Sequence, residues 1–321
     1  MAHYLVTGGC GFIGSHLADR LIADGHRVTI LDDLSTGRME NKPTLARLVV
    51  GDVADQEVVR QAMEGVDGVF HLAAIASVPR SREFWAETHR TNLSGTITVF
   101  EAARAARNGQ PVPVVYASSA AVYGDNTATP LREDAVTRPL SAYGADKLGC
   151  ELHARVAWEI HGVPTVGFRF FNVYGPRQDP ASPYSGVISI FARKVSHGED
   201  VTIYGDGQQV RDFVFVGDVV RFLARAMERG PQGAAQGAAQ GAAQGAGVFN
   251  LCTGRATSLL MLLDVLQELC GSRVRRVHLP PRPGDIRVSI GEPARLRAAF
   301  DDVCRVGLLQ GLGSTLTGEM P

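Results

Sequence analysis

The sequence predicts an α/β fold: a Rossmann-type doubly wound parallel sheet, with a smaller α/β substrate domain towards the C-terminus. Three observations predict it. Short apolar runs alternate with segments of helix length. Several runs are apolar on both faces, as strands covered by helices on each side must be. A glycine-spaced turn joins the first run to the first helix and gives the sheet a ligand-binding end.

The strands come in order as "YLVTGG" (4–9), "RVTILDD" (27–33), "RLVVGD" (47–52), "GVFHLAA" (68–74), "PVVYAS" (113–118) and "PTVGFRFFN" (164–172). They place a dinucleotide-binding domain over residues 1–171. After Asn172 proline and glycine become frequent and strands shorten, which suits a substrate domain over 172–321. The chain is expected to return to the first domain near 211–228. Residues 232–247, "QGAAQGAAQGAAQGAG", repeat every four residues. Each glycine costs a helix about 1 kcal/mol relative to alanine, so a flexible surface loop is expected there.

The bulk numbers exclude several classes. The 321 residues are 45% hydrophobic and 20% charged, with a net charge of −1. That is a globular chain with no basic face for nucleic acid. No run reaches the roughly 18 apolar residues of a membrane span, and no signal segment opens the chain. The five cysteines (Cys10, Cys150, Cys252, Cys270, Cys304) are odd in number and share no metal-ligand spacing. Reduced thiols, a cytoplasmic location and no metal are therefore expected.

The first turn carries Gly8, Gly11 and Gly14, a G-x-x-G-x-x-G spacing between a strand and a helix. Glycines let the backbone turn tightly and approach a pyrophosphate, and the helix N-terminus offers unpaired N–H groups to it. The second strand ends in Asp32, an acid placed to bond ribose hydroxyls and repel a 2′-phosphate, which favours NAD over NADP. Asp33 reinforces the repulsion. Asp52, after the third strand, either reaches the adenine or caps a helix.

Two further features carry chemistry. "SAYGADK" opens a helix expected over 142–161 and sets Tyr143 and Lys147 one turn apart on one face. A free phenol titrates near 10. A neighbouring ammonium and a nicotinamide cation favour the phenolate, so a tyrosine in that setting acts as a general base near neutral pH. The strand "PVVYAS" ends in Ser118 and Ser119, followed by Ala120 and Ala121.

Together these motifs resemble the extended short-chain dehydrogenase/reductase family, and within it nucleotide-sugar 4-epimerases of the UDP-galactose 4-epimerase type. The resemblance runs in order through "VTGGCGFIGSHL", "LDDLSTGR", "GDV", "HLAA", "TNLSGT", "ASSAAVYGD", "YGADK", "FRFFNVYGPRQDP", "YGDGQQVRDFVFVGDV" and "RPGDIRVSIG". It implies that Gly8, Gly11, Phe12, Ile13, Gly14, Asp32, Asp33, Asp52, Val53, Leu72, Ala73, Ala74, Asn92 and Ser118 hold NAD. Tyr143 would be the base, Lys147 would bind the nicotinamide ribose, and Ser119 would help to shuttle the sugar proton. Asn172, Val187, Tyr204, Arg211, Arg282 and Asp285 would bind UDP, with Tyr204 on the uracil and the arginines on the diphosphate. The implied reaction oxidises the sugar at C4, turns the 4-keto sugar, and returns hydride to the opposite face. NAD would be regenerated in each cycle.

Relatives that eliminate water carry an Asp-Glu pair where this chain has Ala120 and Ala121. Methyl groups move no protons, so dehydration is disfavoured. Ser289 stands where narrow epimerases carry tyrosine, and Ser77 and Gly186 are also small, which makes room for an N-acetyl group. Ala120, however, lacks a hydroxyl that N-acetyl-preferring relatives supply. UDP-glucose/UDP-galactose is therefore ranked first, with UDP-N-acetylglucosamine and UDP-glucuronate as alternatives. A non-catalytic NAD-binding regulator is the rival from another class, and a net oxidoreductase exchanging NAD(H) is a second. The resemblance also implies a homodimer packed through long helices at about 82–107 and 141–161. Phe170 replaces the tyrosine usual in this motif, and the last 22 residues only loosely follow the family.

Overall fold

The computed structural model describes residues 1–179, 186–229, 246–282 and 284–320. Seven parallel strands form the central sheet: β1 (His3–Thr7), β2 (Arg27–Asp32), β3 (Arg47–Val50), β4 (Gly68–His71), β5 (Val114–Ser119), β6 (Thr165–Phe170) and, five strands later in sequence, β11 (Ala246–Leu251). Their spatial order is β11-β6-β5-β4-β1-β2-β3. Consecutive residues take opposite faces. Leu5, Val69 and Val114 enter one core, with Val99, Phe100, Cys150 and Ala154 from the helices. Val6, Phe70 and Val115 enter the other. Both faces are dry, which is why these strands read as unbroken apolar runs.

The helices follow from local chemistry. Helix α1 (Phe12–Ala23) starts after the glycine turn. Asp55 caps α2 (Gln56–Ala62) through Glu57 and Val58 N–H. The segment expected as one long helix at 82–107 is instead α3 (Val78–Glu83), α4 (Trp85–His89), a π-turn at Arg90–Ser94 and α5 (Gly95–Ala103). Phe84, at φ −121 and ψ 63, breaks the helix between α3 and α4. Helix α6 (Ala142–His161) matches its expected range; Ser141 caps its start and Gly162, in the left-handed region, ends it.

The C-terminal half builds small sheets beside the carboxyl end. Strand β7 (Asn172–Tyr174) pairs with β10 (Phe213–Phe215), and β8 (Val201–Tyr204) with β13 (Arg276–Leu279). Strand β9 (Val210–Arg211) lies between β12 (Thr257–Ser258) and β14 (Val288–Ser289). Helices α7 (Val187–Ser196), α8 (Val216–Glu228), α9 (Leu259–Cys270), α10 (Ala294–Phe300) and α11 (Leu308–Thr317) complete the chain. The return to the first half is made twice. Helix α8 packs on α1, and β11 adds the seventh strand beside β6. One core joins Leu17 and Phe168 to Ile188, Leu262 and Leu312, so the two halves share their packing. Most of the expected loop at 232–247 lies outside the described residues, and Ala246 and Gly247 already belong to β11.

Candidate active site

The strand order reverses between β1 and β4, and doubly wound sheets bind ligands beside such a switch point. Here the carboxyl ends open into a cleft of about 780 Å³. Among the described residues it is lined by the predicted Gly8, Gly11, Phe12, Ile13, Gly14, Asp32, Asp33, Val53, Leu72, Ala73, Ala74, Ser77, Ser118, Tyr143 and Lys147.

The turn works by contact. Gly8 has φ +69, and a Cβ there would stand 2.8 Å from Ala73 N. A Cβ on Gly14 would stand 2.1 Å from Gly8 O, so α1 can only approach β1 this closely with glycine. No side chain caps α1, which leaves its leading N–H groups for a ligand. Asp32 accepts Cys10 N–H on one carboxylate oxygen and Leu34 N–H on the other, both at 2.9 Å. Each oxygen keeps a lone pair for a hydroxyl. Burial raises the Asp32 pKa above the ordinary value even with those bonds, and Asp33 adds to the rise. A neutral ribose suits that carboxylate and a phosphate does not, so the residues present fit NAD.

The far wall rests on a buried relay that sequence reasoning missed. Thr96 gives its proton to Asn92 O at 2.6 Å, so its oxygen accepts from His71 Nε2 at 2.9 Å. His71 Nδ1 then accepts from the Thr7 hydroxyl at 2.8 Å, and Thr7 Oγ1 accepts Leu72 and Ala73 N–H. Burial, helped by the Lys147 charge, pushes the His71 pKa down to about 3 from an ordinary 6.5. The unfolded chain therefore takes up this proton before the fold does. Stability from His71 is complete above pH 6.5 and falls by about 1.4 kcal/mol per unit as pH drops towards 3. Urea titrations from pH 7 to 4 should show that slope, and His71→Gln should flatten it.

Two predicted cofactor contacts have other work. Both amide atoms of Asn92 are bonded to the Ile75 backbone, at 2.8 and 3.2 Å, so Asn92 shapes the loop after β4 and Thr91 lines the cleft instead. Asp52 accepts Ala54 N–H and pairs with Arg90 outside the cleft, and the helix cap is Asp55. Residues Ser35, Thr36, Gly37 and Arg38 line the cleft and were missed, although their motif was read. A Cβ on Gly37 would stand 2.6 Å from Asp32 Oδ1, which shows how tightly that loop folds over the acid.

Of the catalytic candidates, Tyr143 and Lys147 line the cleft from the start of α6, and Ser119, next to the lining residue Ser118, lies outside the lining. Tyr143 is half-buried and faces the cleft. Lys147 is 3% exposed and gives one of its three donors to Ala117 O at 2.9 Å. Its Nζ lies 6.0 Å from the Tyr143 ring centre. Ser119 ends β5; its Oγ accepts Ala121 N–H at 3.1 Å and keeps its own proton to donate. A Cβ on Gly144 would stand 2.7 Å from Ala121 O, so the first turn of α6 presses on the turn that follows Ser119. Ser118, expected to face cofactor and sugar, lines the cleft, and its hydroxyl is donated to Glu151.

The remaining substrate candidates apart from Ser77 lie outside this lining. Ser77 does line it, and it also caps α3 through Arg80 N–H. Ala120 sits in the turn after Ser119. Asn172 starts β7, and Gly186 and Val187 open α7. The Arg282 guanidinium covers the Tyr204 ring at 3.9 Å. Arg211 donates to Asp285 and to Ile286 O, both at 2.7 Å, and Ser289 pairs with Arg211 across β14 and β9. Gln209 donates to Tyr204 O and to Asp285, so the Arg282–Tyr204 and Arg211–Asp285 pairs adjoin.

Comparison with known proteins matches residues 4–239 to the NAD dependent epimerase/dehydratase family. A UDP-glucose 4-epimerase of Mycolicibacterium smegmatis is 37% identical, over 97% of this chain and 96% of its own length. The structure of a UDP-glucose 4-epimerase with UDP-glucose from Thermotoga maritima superposes with a TM-score of 0.90 at 35% identity, covering 98% of both chains. A UDP-N-acetylglucosamine 4-epimerase from Methanobrevibacter ruminantium, in complex with UDP-N-acetylmuramic acid, gives 0.89 at 34% identity, covering 99% of this chain and 97% of that one.

Proposed function

Because the chain belongs to the NAD dependent epimerase/dehydratase family, we propose that it is an NAD-dependent UDP-sugar 4-epimerase whose substrates are UDP-glucose and UDP-galactose. One observation carries the reading: the glycine turn, Asp32, Tyr143 and Lys147 line a single cleft.

NAD, when bound, supplies the acceptor for the C4 hydride and returns it. The protein does the rest. The glycine turn and Asp32 hold the dinucleotide, and Lys147 has two donors left for it beyond Ala117 O. Tyr143 takes the proton of the sugar O4 and later gives it back, with Ser119 as the intermediate donor. Ala120 and Ala121 put two methyl groups beside that centre, so no acid is in place to expel a hydroxyl. Arg211, Arg282 and Tyr204 hold the UDP, with Asn172, Val187 and Asp285 around them.

The sugar is decided by the wall that carries Ser289. A second reading, UDP-N-acetylglucosamine, is favoured by the small side chains at Ser289, Ser77 and Gly186. Ser289→Tyr should lower kcat/KM for UDP-N-acetylglucosamine by about tenfold more than for UDP-glucose; equal losses would show that Ser289 is no gate. The test of the function is a panel of UDP-glucose, UDP-N-acetylglucosamine and UDP-glucuronate with products separated by C4 configuration. Denaturing the purified protein should release NAD that was never added.

A homodimer in the cytoplasm completes the reading. Leu152 (62% exposed), Val156 and Ile160 (71%) repeat every four residues along α6, and Trp85 stands exposed on α4. Such a stripe suits a second copy of the chain. Leu152→Glu with Ile160→Glu should halve the mass seen by light scattering. All five cysteines are free, as a reducing compartment requires, and no helix among the described residues is long and apolar enough to cross a membrane.

A further inference from the structure

We propose that the buried Glu151–Arg169 pair is a positioning element for catalysis, acting through Ser118 and Tyr123 to set Ser119 against Tyr143. The inference rests on the epimerase reading above. Neither Glu151 nor Arg169 lines the cleft, so neither is a catalytic residue.

Helix α6 carries Tyr143, Lys147 and Glu151 at four-residue spacing, hence on one face. Arg169 lies on β6 directly across from Ser118 on β5. Its guanidinium grips Glu151 with two donors, Nε at 2.9 Å and Nη2 at 2.7 Å. Both side chains are 7% exposed. Ser118 donates to the same carboxylate. The other arm of Arg169 donates to the Tyr123 hydroxyl at 2.8 Å and to Glu133 O at 3.0 Å, and its guanidinium lies 4.8 Å from the Tyr123 ring centre. Tyr123 passes its own proton to Asn250 Oδ1 at 2.6 Å.

The geometry is a clamp. Ser118 and Tyr123 flank the turn that begins at Ser119, and both are bonded to one ion pair. The partner of that pair sits on the helix that carries Tyr143, two turns further on. Gly144 touches the middle of the same turn at Ala121. The turn is thus held at both ends and the centre against the helix that carries Tyr143. Stability alone does not account for such a pair, because a buried ion pair is often replaceable by apolar side chains without loss. Position does account for it: an error of about 1 Å in a reacting group costs on the order of a hundredfold in rate.

The test compares wild type with Ser118→Ala, which leaves the ion pair whole, and Glu151→Gln, which breaks it. Turnover of UDP-galactose is measured well below each unfolding midpoint, with KM and bound NAD determined alongside. Ser118→Ala should lower kcat about tenfold and Glu151→Gln about a hundredfold. KM and NAD content should stay within about twofold of wild type, a split that mere loss of fold does not produce. Ser118→Thr, which keeps the hydroxyl, should restore most of the rate. Unchanged kcat in folded Ser118→Ala would overturn the inference alone, even if Glu151→Gln failed to fold. A wild type inert towards every UDP-sugar would overturn the epimerase reading, and this with it.

Discussion

Tyr143→Phe is expected to lower epimerisation by about 10²- to 10⁴-fold, the usual contribution of a general base. The substitution removes one oxygen from a half-buried side chain at the cleft. The ring, and with it the packing of the first turn of α6, is retained. Ser141 still caps that turn through Gly144 N–H at 3.1 Å. The variant should therefore fold, carry NAD and bind UDP, and fail only at moving the proton. Turnover by product configuration and nucleotide affinity by calorimetry check the two halves separately. Near-normal turnover would remove Tyr143 from the mechanism.

Lys147→Met is expected to cost on the order of 10²- to 10³-fold in turnover, the range seen when one preorganised donor is removed from a reaction centre. Methionine fills similar space without a charge, so the cavity stays filled. What is lost is an ammonium held at 3% exposure that donates to Ala117 O and stands over the Tyr143 ring. That carbonyl loses its donor, which costs stability about 1–3 kcal/mol. His71 loses a nearby positive charge that helps hold its pKa down. Three measurements follow: turnover, NAD retained per chain after gel filtration, and the acid slope of stability, which should become shallower. Full retention of both NAD and turnover would make Lys147 a packing residue.

Much of this protein was readable from local patterns, and the failures share a cause. The strands β1, β2, β4, β5 and β6 were legible because both of their faces are buried, whereas β3, at the sheet edge, is exposed at both ends and was legible from its short apolar run alone. Helix α6 was legible from the helix-length segment that "SAYGADK" opens and the i, i+4 pair on its face. The long helix that the resemblance implied over 82–107 is helical over 85–103, with a break at Phe84 and a π-turn at Arg90–Ser94 that a family resemblance does not register. Asn92 and Ser118 were assigned to ligands by their place in a motif. Asn92 bonds instead to the Ile75 backbone, 17 residues away in sequence, whereas Ser118 lines the cleft and also donates to Glu151, 33 residues away. One signal for the clamp was available: Arg169 is a charge inside the apolar run "VGFRFF", and a buried guanidinium requires a buried acid. Nothing in the sequence marked His71 as part of a relay.

The sequence by itself determined the sheet, the glycine turn, the acid after β2, the phenol–ammonium pair on one helical face, and the two methyl groups beside Ser119. Each of these is a matter of residue type at short spacing, where periodicity and backbone sterics act within a few residues. Only the tertiary structure decided which polar groups were left over for a ligand. Hydrogen-bond partners such as Thr7 with His71, Glu151 with Arg169, and Arg211 with Asp285 lie 18 to 74 residues apart. A buried polar atom must be satisfied by whatever the fold brings near it. That requirement tied the Ser118 hydroxyl to Glu151 and left Ser119, Tyr143 and Lys147 with protons to spare.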